Sequence, residues 1–316
     1  MKKPWIKPAL IVAGICIALV GIARILLGLV VGSAEFRDTT ARVLERGLGQ
    51  LITGAMVEVD SIQLSGLSQL HIANLLIRSG QKADVTMIAP TVHVSPRLWT
   101  LIKSGLLVAD LDITLVENGR IKTQVAAPFK WIMGGRSRSE RLEPYLAMEG
   151  TIEGVSVPPI FALVMAGENR PGIQLTAGRL TGRYSIRKPV GVTRATGHKS
   201  GRIEMQILSP RWTFMAPDGP RDLNTANMEV SLELQDFALG LRQPLIFQDR
   251  KERAVVTGAL LLPKYAEEDL AWDLIVKAEG STHLALGLSR LLRCAKVPSK
   301  ATFTVKGRIS SPRCGG

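Results

Sequence analysis

The chain has 316 residues, with 40 lysines and arginines against 27 aspartates and glutamates, a net charge of +13 and a hydrophobic content of 46%. Aromatic residues make up only 5%, so the apolar excess is aliphatic, and the basic balance favours an anionic surface as neighbour. Nucleic acid is a poor fit, because no segment interleaves aromatic and basic side chains as single strands require.

Residues 1–8 are short and basic, and residues 9–31 form one apolar run, A-L-I-V-A-G-I-C-I-A-L-V-G-I-A-R-I-L-L-G-L-V-V. At a rise of about 1.5 Å per residue the run just crosses a hydrocarbon core of roughly 30 Å, which predicts a transmembrane helix anchored by Leu10, Ile17, Leu19 and Leu26. Lys2, Lys3 and Lys7 precede it and Trp5 sits at headgroup depth. The positive-inside rule then keeps the N-terminus cytoplasmic and sends residues from about 32 onward outside, so the bulk of the chain is expected to be extracytoplasmic. Arg24 lies close enough to the far end to snorkel outward. A cleaved signal peptide is the alternative, with residues 9–23 as its apolar core and Gly32-Ser33-Ala34 as the small-residue site. Cys16 lacks the leucine and small residue expected before a lipidated cysteine.

Residues 32–52 follow as an amphipathic juxtamembrane helix, with Phe36, Thr40, Val43, Leu44, Gly47 and Leu48 on one face and Ser33 as N-cap. From Gly54 the apolar period changes to two. Val57 and Val59, then Ile62 and Leu64, then Leu111, Ile113 and Leu115 alternate with polar residues. So do Ile203, Met205 and Ile207, then Met228, Val230, Leu232 and Leu234, then Leu270, Trp272, Leu274 and Val276, and finally Phe303, Val305 and Ile309. Such one-sided strands separated by glycine and proline turns, Pro217-Asp218-Gly219-Pro220 among them, predict antiparallel sheet with one wet face. Gly178-Arg179-Leu180-Thr181-Gly182 reads as a connection between strands. Short helices are predicted at 96–103, 159–166 and 282–293, too few to cover a large sheet. The aliphatic face therefore meets a second sheet, folds on itself, or faces a ligand. The basic loops 130–141 and 188–200 punctuate a β-rich domain at 53–312. The first is the one candidate for an internal boundary, and 313–316 is left as a tail.

Catalytic chemistry is thinly represented. The four histidines, His71, His93, His198 and His283, stand apart from one another and from cysteine at ligand spacing, and no nucleophile elbow or phosphate loop occurs. Glu267-Glu268-Asp269 reads as a solvated turn. Neither a cofactor nor a metal is expected. Cys294 and Cys314 lie in an oxidising compartment and either pair or remain free thiols, because sequence does not fix the geometry of a bridge.

Gly54-Ala-Met-Val-Glu-Val-Asp-Ser-Ile-Gln-Leu-Ser65, Leu70–Ile77, Val92–Gly105 and Val108–Ile113 resemble the N-terminal module of AsmA-like proteins, in which a membrane anchor leads into a G-x-x-V-x-V strand and a short leucine-rich helix ends in glycine. Gly150–Gly154, Gly201–Ile207, Val255–Leu260 and Phe303–Pro312 are similar to the GspN family of type II secretion systems. The resemblance implies a mainly β fold, an elongated, curled antiparallel sheet with a few short helices and an apolar concave side, and it brings no catalytic residues. It further implies a non-enzymatic periplasmic component of the secretion apparatus, anchored in the inner membrane. The alternative is a lipid-binding, lipid-transfer or envelope-assembly module of the AsmA type. The expected partners are the bilayer and either other secretion-system proteins or lipids. The groove is expected along Val57, Val59, Ile62, Leu64, Ile113, Val230, Leu232 and Leu274, with a closed sandwich core as the competing arrangement. The last strand, from Phe303, is expected to pair with the strand ending at Val276 and to be joined to it by a capping helix.

Overall fold

A computed structural model of the chain describes residues 33–48, 55–65, 68–79, 86–128, 145–164, 173–189, 199–216, 219–248, 253–262, 271–279, 282–292, 294, 302–308 and 311–315. The expected membrane span 9–31, the loop 130–141 and the acidic turn 267–269 lie outside these residues. Among the described residues no helix is long and apolar enough to cross a membrane.

Sixteen strands form one antiparallel sheet. They are β1 (Ala55–Ser65), β2 (Gln69–Ser79), β3 (Thr86–Pro96), β4 (Leu106–Thr114), β5 (Arg120–Pro128), β6 (Tyr145–Ser156), β7 (Ile173–Pro189) and β8 (Ser200–Ala216). The series continues with β9 (Gly219–Asn224), β10 (Met228–Gln235), β11 (Ala238–Leu241), β12 (Leu245–Gln248), β13 (Arg253–Leu261), β14 (Ala271–Glu279), β15 (Thr302–Arg308) and β16 (Arg313–Gly315). Each strand lies beside its predecessor in the chain except around β9 and β12, which pair with β8 and β13 and stand off the main path. Among the described residues four α-helices decorate the sheet: α1 (Ala34–Leu48), α2 (Leu98–Ser104), α3 (Val157–Val164) and α4 (Thr282–Leu291). Ser33 caps α1 as expected, its Oγ accepting from the Phe36 N–H at 3.2 Å.

Three expectations are corrected. β5 and β6 pair from Arg120–Glu153 to Ala126–Ala147, so the sheet continues without a break across the loop that was the candidate boundary. Gly178–Gly182 is interior to β7 rather than a connection. The tail is not loose either, because β16 pairs with β15 through Val305–Cys314.

A transverse crease crosses the sheet. In β1 the inward residues are Val57 and Val59 before Asp60, and Ile62 and Leu64 after it; in β2 they are Leu70 and Ile72, then Leu75 and Ile77; in β3 they are Met87 and Ala89, then Val92 and Val94. A regular strand would send the two sets to opposite faces. The β1–β2 and β2–β3 ladders each omit the pair at this level, Asp60–Asn74 and Asn74–Pro90. Asn74 has φ 50°, a left-handed conformation that asparagine tolerates, and proline, which has no N–H to donate, sits where no ladder bond is required. The crease continues at Gly154 (φ 59°) beside the β6–β7 register shift, and at Ser209 (φ 47°) in β8. Both parts of each strand thereby keep their aliphatics on one side.

The core on that side is built with the helices. Phe36 of α1 packs with Ile62, Ile72 and Val92, and Leu163 of α3 packs with Val57 and Ile77. At the C-terminal end Leu284 and Leu288 of α4, each 1% exposed, join Val276, Phe303 and Val305. Helix α4 joins β14 to β15, and those two strands pair directly, with Val276 opposite Phe303 and Leu274 opposite Val305. Cys294 and Cys314 form a disulfide that ties the end of α4 to β16, with the two Cα atoms 5.6 Å apart.

Candidate functional site: an aliphatic sheet face and its cavity

Residues paired directly across an antiparallel ladder share a face, so register decides which expected groove residues belong together. One row runs Ile62, Ile72, Val92, Ile113, Ile121, Ile152, Gly182, Met205, Val230 over nine strands, β1 to β8 and β10. The next carries Leu64, Leu70, Val94 and Leu111 at one end and Ile203, Leu232 and Leu241 at the other. Five of the eight expected residues, Ile62, Leu64, Ile113, Val230 and Leu232, therefore stand on one aliphatic face. Val57 and Val59 reach the same side across the crease. The first row is buried at Ile62, Ile72 and Val92 and becomes half-buried from Ile113 to Val230.

That face ends in a cavity of about 250 Å³ lined almost wholly by carbon. Val230, Leu232 and Leu241 line it from β10 and β11, Val256, Trp272 and Leu274 from β13 and β14, and Leu288 and Leu291 of α4, with Leu292 just beyond the helix, complete the lining. Three of the expected residues, Val230, Leu232 and Leu274, thus meet in one space. Val57, Val59, Ile62 and Ile113 belong to two adjoining clusters at the other end, which share Val59. The indole N–H of Trp272 is buried and has no partner among the described residues, which makes it the single side-chain donor in this lining. Phe247, 3% exposed, also lines the space; the four-residue strand β12 that carries it is too short to show a period in sequence.

Glycine has a specific role beside this cavity. Gly258 in β13 adopts φ +122°, and a Cβ there would overlap the carbonyl oxygen of Asp273, so β13 and β14 approach each other only because the side chain is missing.

The opposite face is polar and ion-paired. Its row reads Gln63, His71, His93, Asp112, Lys122, Thr151, Arg183, Glu204, Ser231. Arg97 donates to Asp110 from Nε at 2.7 Å and from its terminal nitrogen at 2.9 Å, and Gln124 donates to the same carboxylate at 2.8 Å. The hydrogen bond from Arg97 holds the Asp110 carboxyl below the usual carboxylate range. Arg120 does the same for Asp112, with Nε at 2.7 Å, and Arg183 for Glu204, at 2.8 Å. His71 and His93 face each other with their Nδ1 atoms 3.3 Å apart. Two open depressions of about 660 and 560 Å³ lie along this face. Of their carboxylates, Asp110, Asp112 and Glu204 are held by Arg97, Arg120 and Arg183. No group of three or more histidine, cysteine, aspartate or glutamate side chains suited to a metal ion occurs among the described residues.

Taken together, the aliphatic face and cavity can accept a hydrocarbon chain, and the polar face is built for water and charge. Comparison of the chain with protein-family models, with curated proteins and with solved structures gave no match in any of the three.

Proposed function

We propose that the chain is a non-enzymatic periplasmic component of a type II secretion system, of the GspN kind, held to the inner membrane by residues 9–31. The observation that supports this reading is the continuity of the sheet. The segments resembling AsmA-like and GspN proteins fall largely on strands of one meander whose aliphatic row spans nine of them, and three carboxylates of the other face, Asp110, Asp112 and Glu204, are paired with arginines. Deleting the gene in its host tests the proposal. Folded type II substrates are expected to accumulate in the periplasm and to be released again on complementation; undiminished secretion overturns it. A neighbourhood of genes for a secretion ATPase, pseudopilins and a secretin adds independent support.

A second reading, a lipid-binding module, is favoured by the cavity. At about 250 Å³ it falls below the ~300–1,000 Å³ typical of sites for whole drug-sized ligands, and it suits a length of one acyl chain entering from the half-buried row. Phospholipid or fatty acid that remains with the detergent-extracted protein through gel filtration, at a defined molar ratio, supports it. A lipid-free preparation that retains its fold argues against it.

A further inference from the structure

Helix α2 leaves three of its four apolar side chains in solvent, Leu101 alone being half-buried. Leu98, Trp99 and Ile102 are 45%, 72% and 75% exposed, and no residue of the helix is buried. Positions 98 and 102 are one turn apart and 99 lies three before 102, so the three make one patch. The helix carries Lys103 in its last turn and no acidic residue in its first. Its seat is fixed: the Arg97 N–H donates to the Val108 carbonyl at 2.7 Å, and the Arg97 guanidinium holds Asp110 with two bonds. The patch is therefore presented outward by a braced turn.

Where α2 sits limits what it can meet. The described chain begins at Ser33, beside the middle of β1: Phe36 packs with Ile62, and Arg37 donates to the Asp60 carbonyl at 2.6 Å. β1 and β3 run in the same direction, since both are antiparallel to β2, and Ile62 is level with Val92. β3 continues from Val92 to Pro96 and passes directly into α2. With about 3.3 Å per residue along a strand and about 4.8 Å between strands, α2 lies within roughly 20 Å of the start of α1. That start is the point at which the proposed membrane span would hand over to the domain.

We infer that α2 is a second contact with the bilayer, inserting Leu98, Trp99 and Ile102 at headgroup depth with Lys103 beside anionic phosphate. The inference rests on the reading of residues 9–31 as a membrane anchor. A tryptophan with two aliphatics and a lysine is the composition of interfacial insertion, and an anchor emerging nearby brings the lipid surface to the patch at high local concentration. The consequence is orientation: one span fixes position only, and a span plus α2 also fixes how the sheet stands on the membrane.

The test uses the full chain with Ile102→Cys in a Cys16→Ser background, labelled with an environment-sensitive fluorophore and reconstituted into vesicles of phosphatidylethanolamine and phosphatidylglycerol. Blue-shifted emission, lost when shallow nitroxide-labelled lipid is included, is the expected result, with Glu279→Cys as a water-exposed reference. Flotation of the vesicles reports the anchor separately. A chain that does not float overturns both readings. A floating chain whose probe at position 102 emits as in water, or becomes shielded only when other envelope proteins are added, overturns the contact of α2 with lipid and leaves the anchor standing.

Discussion

Asn74 donates its side-chain amide to the carboxylate of Asp60 at 3.2 Å, at the single level where the β1–β2 ladder omits a pair. This bond closes the crease on its solvent side and lets Val57 and Ile62, an odd and an even position of one strand, turn to the same interior. Replacing Asn74 with valine forces a β-branched residue into the left-handed region and removes the bond. A loss of about 1–2 kcal/mol is expected, read as a lower thermal unfolding midpoint, and Asn74→Gly should recover most of it. Equal stability of the valine and glycine variants would show that the conformation at residue 74 does not matter.

The half-buried row and the buried core should respond differently to charge. Leu232→Glu places a carboxylate where one side remains open, so the fold is expected to persist while any co-purifying lipid is lost. Val276 is 0% exposed in the core beneath α4, and Val276→Asp should unfold the C-terminal part because an unpaired carboxylate has nowhere to hydrate. Circular dichroism and lipid mass spectrometry on the two variants separate an open face from a closed core. Unfolding by both would identify Leu232 as core.

The disulfide closes a loop between residues separated by 20 in sequence, which in the chain-entropy treatment corresponds to about 3 kcal/mol. Cys314→Ser should therefore lower the midpoint markedly, and reduction of the wild type should reproduce the effect without adding to it in the variant. Deleting residues 301–316 also removes β15, whose Phe303 and Val305 are 0% exposed. That truncation should aggregate or be degraded, and wild-type abundance would contradict it.

Acid sensitivity follows from the carboxylates on the polar face. Asp110 and Asp112 titrate below the ordinary range in the folded chain because Arg97 and Arg120 stabilise their charged forms, so their contribution is fully present above the unfolded value near 4 and is lost as pH falls through the lower folded values. Both are partly solvated, and each is expected to supply less than about 1 kcal/mol. Asp112→Asn should flatten the decline in stability below about pH 4 and leave the neutral plateau only slightly lower. An acid limb identical to the wild type would place the sensitive groups elsewhere.

Strands with a single phase were legible in the sequence. β10 and β15 each alternate without interruption, and the three helices predicted inside the β-rich part appear within a few residues of their expected bounds. Strands crossing the crease were harder. The 17-residue β7 changes phase around Gly178, so its glycines look like a turn when read locally, although they lie inside a continuous strand. In the candidate site, Val230, Leu232 and Leu274 were recoverable from period alone. A helix joining the last strands and capping the apolar end was also expected, but the meeting of these particular residues with α4 was not, because it depends on where the helix returns over the sheet. The exposure of Trp99 and Ile102 was equally hidden, since a helical stripe of that composition reads as core until its surroundings are known.

The order of strands also has a consequence for how the protein is made. Nearly every strand pairs with the one synthesised just before it, so contact order is low and the sheet can grow from β1 as the chain becomes available, without waiting for distant segments. Until synthesis ends, however, the newest strand is a bare edge open to mispairing. At the first edge Arg37 of α1 occupies one carbonyl, that of Asp60, early, whereas β15 is covered only when the three residues of β16 arrive and Cys314 reaches Cys294. A nascent chain of this protein is therefore vulnerable at this edge while residues 294–314 are being added, and thiol oxidation between Cys294 and Cys314 is the step that ends that vulnerability.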